Sequence, residues 1–245
     1  MVAMNILETR ALTKSFGGIK ANTNIDFALE QGRTMALIGP NGAGKSTFVG
    51  MLSGRIPATS GQVFFKGKDI SHLPAHRRIA LGIAYTFQIT SVFSNLDVRE
   101  NVALAARRDR TKSEDEVAER VAGVLARVGL SDRMEQLAGG LSYGHQRVLE
   151  IAMGLVQEPE LLILDEPTQG LAESEVTEFV DLINGLQGRP TILLIEHNMD
   201  VVMRTAEMIT VLNFGEILAS GTPQEVHDNA AVQAAYLGTT TNAES

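Results

Sequence analysis

The chain has 245 residues, 44% hydrophobic and 20% charged, a composition that suits packed globular structure and excludes a disordered or collagen-like chain. Its 21 Lys and Arg against 29 Asp and Glu leave a formal charge of −8, which disfavours nucleic acid as a partner. With no Cys and five scattered His, it has no means of forming disulfides, thiolate nucleophiles or a zinc site of ordinary ligand spacing.

The opening MVAMNILETR is interrupted by Glu8 and Arg10 before a signal-peptide core develops, so it reads as mature sequence. Residues 5 to 30 are expected to form two strands of an antiparallel meander, with apolar Ile25, Phe27 and Leu29 alternating and turns at Gly17-Gly18 and Gln31-Gly32. Thr34 to Ile38 is a short apolar run that leads through a glycine-rich turn into a periodic segment, Lys45 to Leu52. That is the pattern of a buried parallel strand feeding a helix. Gln62 to Phe65 reads as an edge strand, and Ile83 to Phe87 as a further strand. Between about 91 and 136 the period becomes helical, at Val98 to Ala106 and Glu114 to Val128, which predicts a helical insertion. A helix over Gly144 to Gln157, with Val148, Ile151, Ala152 and Leu155 on one face, precedes strand Leu161 to Leu164. Helix Glu173 to Leu186 and strand Thr191 to Ile195 continue a βαβ alternation that implies a parallel sheet. Ile209 to Asn213 and Glu216 to Ala219 flank Phe214-Gly215 as a hairpin, and residues 239–245 read as a flexible tail. The longest apolar runs span only a few residues, far short of the roughly 20 needed to cross a bilayer.

Gly39-Pro40-Asn41-Gly42-Ala43-Gly44-Lys45-Ser46-Thr47 fits G-x-x-x-x-G-K-[ST], between a predicted strand and a predicted helix. Glycines there let backbone N–H groups converge on phosphate oxygens, and the following helix points its positive end at the same anion. Lys45 is then expected to reach the β and γ phosphates, and the Ser46 hydroxyl to ligate Mg²⁺. Leu161 to Glu166 is an apolar strand ending in two carboxylates, at the sheet edge where parallel-sheet proteins bind ligands. Asp165 suits the metal, and Glu166 suits a general base that polarises the attacking water. Alone, such an acidic pair is more often a solvated strand terminus, and its pairing with the phosphate loop reverses that balance.

The stretch Leu141-Ser142-Tyr143-Gly144-His145-Gln146-Arg147 is similar to the L-S-G-G-Q signature of ABC transporter nucleotide-binding subunits, and the resemblance covers nearly the whole chain. Taken alone, Ser142 could equally be a helix N-cap. The resemblance implies an α/β P-loop NTPase fold of the ABC ATPase kind, with a mostly parallel core sheet, an antiparallel β subdomain and an inserted helical subdomain. One nucleotide-binding domain would then span 1–245, with helices inserted at approximately 90–158. It further implies that Ser142, Gly144 and His145 contact the γ-phosphate of ATP bound by an opposing subunit, and that Gln88 senses Mg²⁺ and the lytic water. His197 would be the switch histidine, and Phe16 the aromatic that stacks on adenine, although an ordinary turn or core phenylalanine fits position 16 as well.

Within the family, the closest resemblance is to the ATPases of branched-chain amino acid and urea or amide uptake. It is carried by Phe16-Gly17-Gly18-Ile19-Lys20-Ala21, Thr86-Phe87-Gln88, Leu149-Glu150-Ile151-Ala152-Met153, Ile195-Glu196-His197-Asn198-Met199 and Ala235-Tyr236-Leu237-Gly238. The implied partners are a second ATPase subunit, identical or a sister, transmembrane permease subunits and, indirectly, a solute-binding protein, with the chain peripheral on the cytoplasmic face of the membrane. An exporter or lipid-extraction ATPase uses the same parts with a different partner, and a soluble ABC ATPase acting on nucleic acid or ribosomes is a more remote alternative. Tyr143, His145 and Ala172 depart from the family pattern. Because an imidazole titrates near neutrality, His145→Gln is expected to flatten the pH profile of ATP hydrolysis, and superimposable profiles would contradict that expectation.

Overall fold

A computed structural model describes residues 4–86, 91–109, 111–186, 188 and 190–237. In chain order they form β1 (Asn5–Phe16), β2 (Ile19–Glu30), β3 (Thr34–Ile38), α1 (Lys45–Ser53), β4 (Ser60–Phe65), β5 (Lys68–Asp69), α2 (Ala75–Ala80), β6 (Ile83–Thr86), α3 (Val98–Ala106), α4 (Glu114–Arg127), α5 (Tyr143–Leu155), β7 (Leu161–Asp165), α6 (Glu173–Gly185), β8 (Thr191–Ile195), α7 (Met199–Thr205), β9 (Met208–Asn213), β10 (Glu216–Gly221), α8 (Pro223–His227) and α9 (Ala230–Leu237).

The alternating apolar residues of 5–30 make a long antiparallel pair, β1 with β2, that is buried on one face. β4 joins the other side of β1, giving the order β2-β1-β4-β5. The expected edge strand is therefore interior. Lys66 and Gly67 both take positive φ (52° and 74°), which turns the chain tightly enough for Lys68 and Asp69 to pair back.

The second sheet has the order β10-β9-β3-β8-β7-β6 and is parallel from β9 to β6. β3, β7 and β8 are buried at every position, which explains their unbroken apolar runs. Met35 and Leu37 face α1 and the antiparallel sheet, while Ala36 and Ile38 face Val202, Val211 and Val226 on the other side. α1 thus lies between two sheets, with Phe48, Val49, Met51 and Leu52 all buried and the Phe48 ring edge-on to Phe27 at 5.4 Å. The helices expected within 91–136 stand as α3 and α4. They pack with α5 through Val98, Val102, Val121, Leu125 and Leu149. Capping fixes their starts, Asp97 for α3 and a Ser113/Glu116 capping box for α4.

Strand registers place the ligand-binding edge. Leu37 and Asp165 both lie opposite Ile195, and Ile38 lies opposite Val211, so β3, β7, β8 and β9 end together. The residues that follow three of these strands, Gly39, Glu166 and Glu196, therefore open on one rim.

The far end of α1 is closed by a side chain from α2. The buried Arg78 guanidinium donates to Met51 O (2.7 Å) and Leu52 O (2.8 Å) at the helix C-terminus, and to Leu73 O (2.9 Å) and Ser71 O (3.0 Å). A cation there complements the helix dipole and supplies donors to the carbonyls of Leu52, Leu73 and Ser71, while sharing Met51 O with the Gly54 N–H (3.3 Å). Burial pulls its pKa down to about 10, so the charge is retained at neutral pH. Arg78→Ala is expected to lower unfolding free energy by about 3 kcal/mol in urea titrations, because it leaves buried carbonyls unpaired. An unchanged midpoint would contradict this role.

Candidate active site

The loop after β3 is held by close backbone approach. A Cβ on Gly39 would lie 2.1 Å from Leu212 O, and one on Gly44 would lie 2.5 Å from Ala21 O and 2.7 Å from Asn22 Nδ2. Both glycines also take positive φ (152° and 96°), so no other residue fits either end of the loop. Gly44 is the N-cap of α1 and has no side chain to take up the first-turn N–H groups. Those donors, with the helix dipole, face an open cleft of about 550 Å³ lined by Asn41 to Thr47, Ile19, Lys20, Ala21, Glu166, Phe214 and Gly215.

Lys45 is buried and folds over its own loop, donating to Gly39 O (2.6 Å) and Pro40 O (3.1 Å). Burial lowers its pKa, against which the Glu166 and Asp165 charges act. Ser46 and Asn41 are exposed at the cleft and Thr47 is half-buried.

Asp165 ends β7 in a buried position. Burial raises its carboxyl pKa and the neighbouring Glu166 charge adds to this, while a hydrogen bond from the Tyr85 hydroxyl to Oδ2 opposes it. The Tyr85 phenol is in turn pushed up by burial and by Asp165. Glu166 adopts a left-handed conformation (φ 47°) with its N–H bonded to Ile195 O at 2.9 Å, which turns its side chain out of the strand and into the cleft wall. His197 is exposed just beyond β8. Its backbone is pinned by Glu196, which is fully buried and accepts from His197 N (3.0 Å), Asn198 N (3.2 Å), Thr168 N (3.1 Å) and Thr168 Oγ1 (2.5 Å).

Ser142 is the N-cap of α5. Its Oγ accepts from His145 N (3.2 Å), lies 2.8 Å from His145 Nδ1, and donates to Glu175 Oε1 (3.1 Å) on α6. The other Glu175 oxygen accepts from Ala172 N (3.1 Å). A Cβ on Gly144 would stand 2.4 Å from Glu175 Oε1, so the glycine leaves room for that carboxylate to reach Ser142.

The structure brings Gly39 to Thr47, Asp165, Glu166 and His197 to one rim, and Ser142, Gly144 and His145 to a second cluster. None of residues 142–145 lines the cleft of its own chain. Gln88 lies outside the described residues. Phe16 stands apart from the cleft lining, half-exposed under the Lys14 ammonium at 4.8 Å, whereas Ile19 and the largely exposed Phe214 flank the phosphate loop. Sequence reasoning missed Glu196, Glu175 and Tyr85 as parts of the site. Of these only Glu196 carries a local signal, an acid closing an apolar strand beside His197.

Among the described residues, no group of three or more His, Asp or Glu could hold a metal by itself. The hydroxyl of Ser46 and the buried carboxylate of Asp165 are nevertheless hard oxygen donors, and the pairing of the Asp165 and Glu166 carboxylates at one strand end suits a divalent cation that also takes phosphate oxygens.

The family of ABC transporters matches residues 22–169. The chain belongs to the ABC transporter ATPases. A second family, the branched-chain amino acid ATP-binding cassette transporters, matches residues 216–240. The chain is 37% identical to the high-affinity branched-chain amino acid transport ATP-binding protein BraF of Pseudomonas aeruginosa, over 95% of this chain and 98% of that one. It is 36% identical to LivG of Escherichia coli, of the same description, with the same coverage. The fold matches the ADP conformation of an ATP-binding cassette of an ABC transporter with a TM-score of 0.85 and 28% identity, covering 96% of this chain and 99% of that one. This ABC ATPase has, among its described residues, no helix long and apolar enough to cross a membrane.

Glu196→Gln puts an amide NH₂ among N–H donors. It is expected to cost about 2 kcal/mol of stability and to lower ATP turnover about tenfold while leaving ATP affinity unchanged, because His197 and the loop after Glu166 lose their common anchor. Wild-type turnover in this variant would contradict the assignment.

Proposed function

We propose that this chain is the ATP-hydrolysing subunit of an importer for branched-chain amino acids or related small amide solutes. It would act peripherally on the cytoplasmic face of the membrane with permease subunits and, through them, a solute-binding protein. Similarity to BraF and LivG over 95% of the chain supports the solute class. The observation that carries the working unit is the separation of the Ser142 cluster from the phosphate-loop cleft of the same chain. A chain that holds both halves apart completes each site with the opposite half of a second copy or sister subunit, and twofold symmetry then generates equivalent sites.

In this reading the loop N–H groups of 41–47 cradle the phosphates, and Lys45 exchanges its bonds to Gly39 O and Pro40 O for β- and γ-phosphate oxygens. Ser46, Asp165 and Gln88 hold Mg²⁺, which neutralises phosphate charge when bound. Phe16, half-exposed outside the cleft lining, would stack on the adenine only where the nucleotide extends beyond the phosphate loop. Glu166 takes the proton of the attacking water as the bond to the γ-phosphorus forms and the bond to the leaving ADP oxygen breaks, with Gln88 and His197 orienting that water. Ser142, Gly144 and His145 of the facing copy bind the γ-phosphate until it leaves. Loss of that shared anion lets the pair separate, and this motion is what permeases would use.

Glu166→Gln is expected to bind ATP within about twofold of wild type while turnover falls by roughly 10² to 10⁴. Near-normal turnover measured by phosphate release would overturn the assignment of the base.

A further inference from the structure

The Asp165 carboxylate is gripped from outside the nucleotide motifs. Tyr85 lies opposite Ile163 in the β6–β7 ladder, so its side chain leaves the same face as Asp165, two residues further on. Its hydroxyl donates to Asp165 Oδ2, while Oδ1 makes no hydrogen bond to the described residues. The phenol is itself held twice by Arg55, just past the end of α1. Arg55 Nη2 donates to the Tyr85 oxygen at 2.6 Å, and the guanidinium stacks on the ring with Cζ 4.1 Å from its centroid. Arg55 Nε donates to Ser53 Oγ (3.1 Å), which donates to Gly50 O (3.2 Å), so the chain of contacts ends on the phosphate-loop helix.

We propose that Tyr85, braced by Arg55, is a positioning residue that fixes the Asp165 carboxylate with one oxygen engaged and the other presented to the nucleotide-bound divalent cation. A buried carboxylate without that bond would rotate or turn toward another donor, and the ordering would have to be supplied at the moment of binding. The same grip ties the metal carboxylate to β6, three residues before Gln88, and to the helix that carries Lys45 and Ser46.

This inference rests on Asp165 being a metal-holding residue, and the experiment separates the two. Equilibrium binding of a methylanthraniloyl ATP analogue is measured with Mg²⁺ and again with EDTA, on wild type, Tyr85→Phe, Arg55→Met and Asp165→Ala, with thermal unfolding recorded for each. Binding of Mn²⁺ in the presence of the analogue is followed by its paramagnetic resonance signal. Tyr85→Phe is expected to keep the EDTA affinity and lose about tenfold of the Mg²⁺-dependent gain and of the Mn²⁺ affinity, with Arg55→Met shifting in the same direction by less. A parallel loss with and without metal, or an undiminished metal-dependent gain, would overturn the proposal. If Tyr85→Phe does not fold, the Arg55→Met ratio decides in the same way. An unchanged ratio in Asp165→Ala would instead remove the metal-holding role on which the inference stands.

Discussion

The phosphate loop of this protein can occupy only one place, because its backbone is wedged between two sheets. Leu212 of β9 closes on Gly39, Ala21 and Asn22 of β2 close on Gly44, and Gly215 donates its N–H to Ala43 O at 3.0 Å while its own Cβ position is filled by Ala21 O at 2.6 Å. An antiparallel sheet therefore buttresses a loop that belongs to the parallel one. The N-terminus of α1, the reach of Lys45 and the exposure of Ser46 all follow from that contact, and Arg78 closes the other end of the same helix.

The electrostatics are local. A chain of net charge −8 binds an anion here by stacking backbone donors and a buried lysine at one point, where low dielectric strengthens each contact. Acidic groups gather at the same strand ends, and each is handled differently. Glu196 is consumed by four donors and serves as a backbone anchor, Asp165 is held through one oxygen by Tyr85, and Glu166 is twisted by its positive φ to face the cleft. Successive residues thus take separate roles because the backbone, rather than the residue type, sets what surrounds them. At the second cluster Glu175 occupies the donors of Ser142 and Ala172 in the single chain, a carboxylate standing beside groups suited to a phosphate.

What was legible in the sequence is what local pattern encodes. The apolar runs at 34–38, 161–164 and 191–195, the glycine spacing at 39–44 and the helical periods at 98–106 and 114–128 each depend on neighbours within a few residues, and each stands where it was expected. The short helices α2, α7, α8 and α9 escaped notice because five to eight residues show too little of a helical period. Arg78, Glu175, Tyr85 and Arg55 escaped for a different reason. Each has a partner 26 to 80 positions away, with Arg78 meeting Leu52 and Tyr85 meeting Asp165 only after the sheets assemble. The placement of β4 inside its sheet followed from a two-residue strand that no pattern could announce.

The account turns on each chain carrying two halves of different sites that meet only in a pair. The most direct test is the solution mass of the Glu166→Gln chain by light scattering, in ATP and then in ADP. Completion of each site by a second copy of this chain predicts twice 26.4 kDa with ATP and 26.4 kDa with ADP, whereas a mass of 26.4 kDa in both nucleotides would contradict pairing between identical copies.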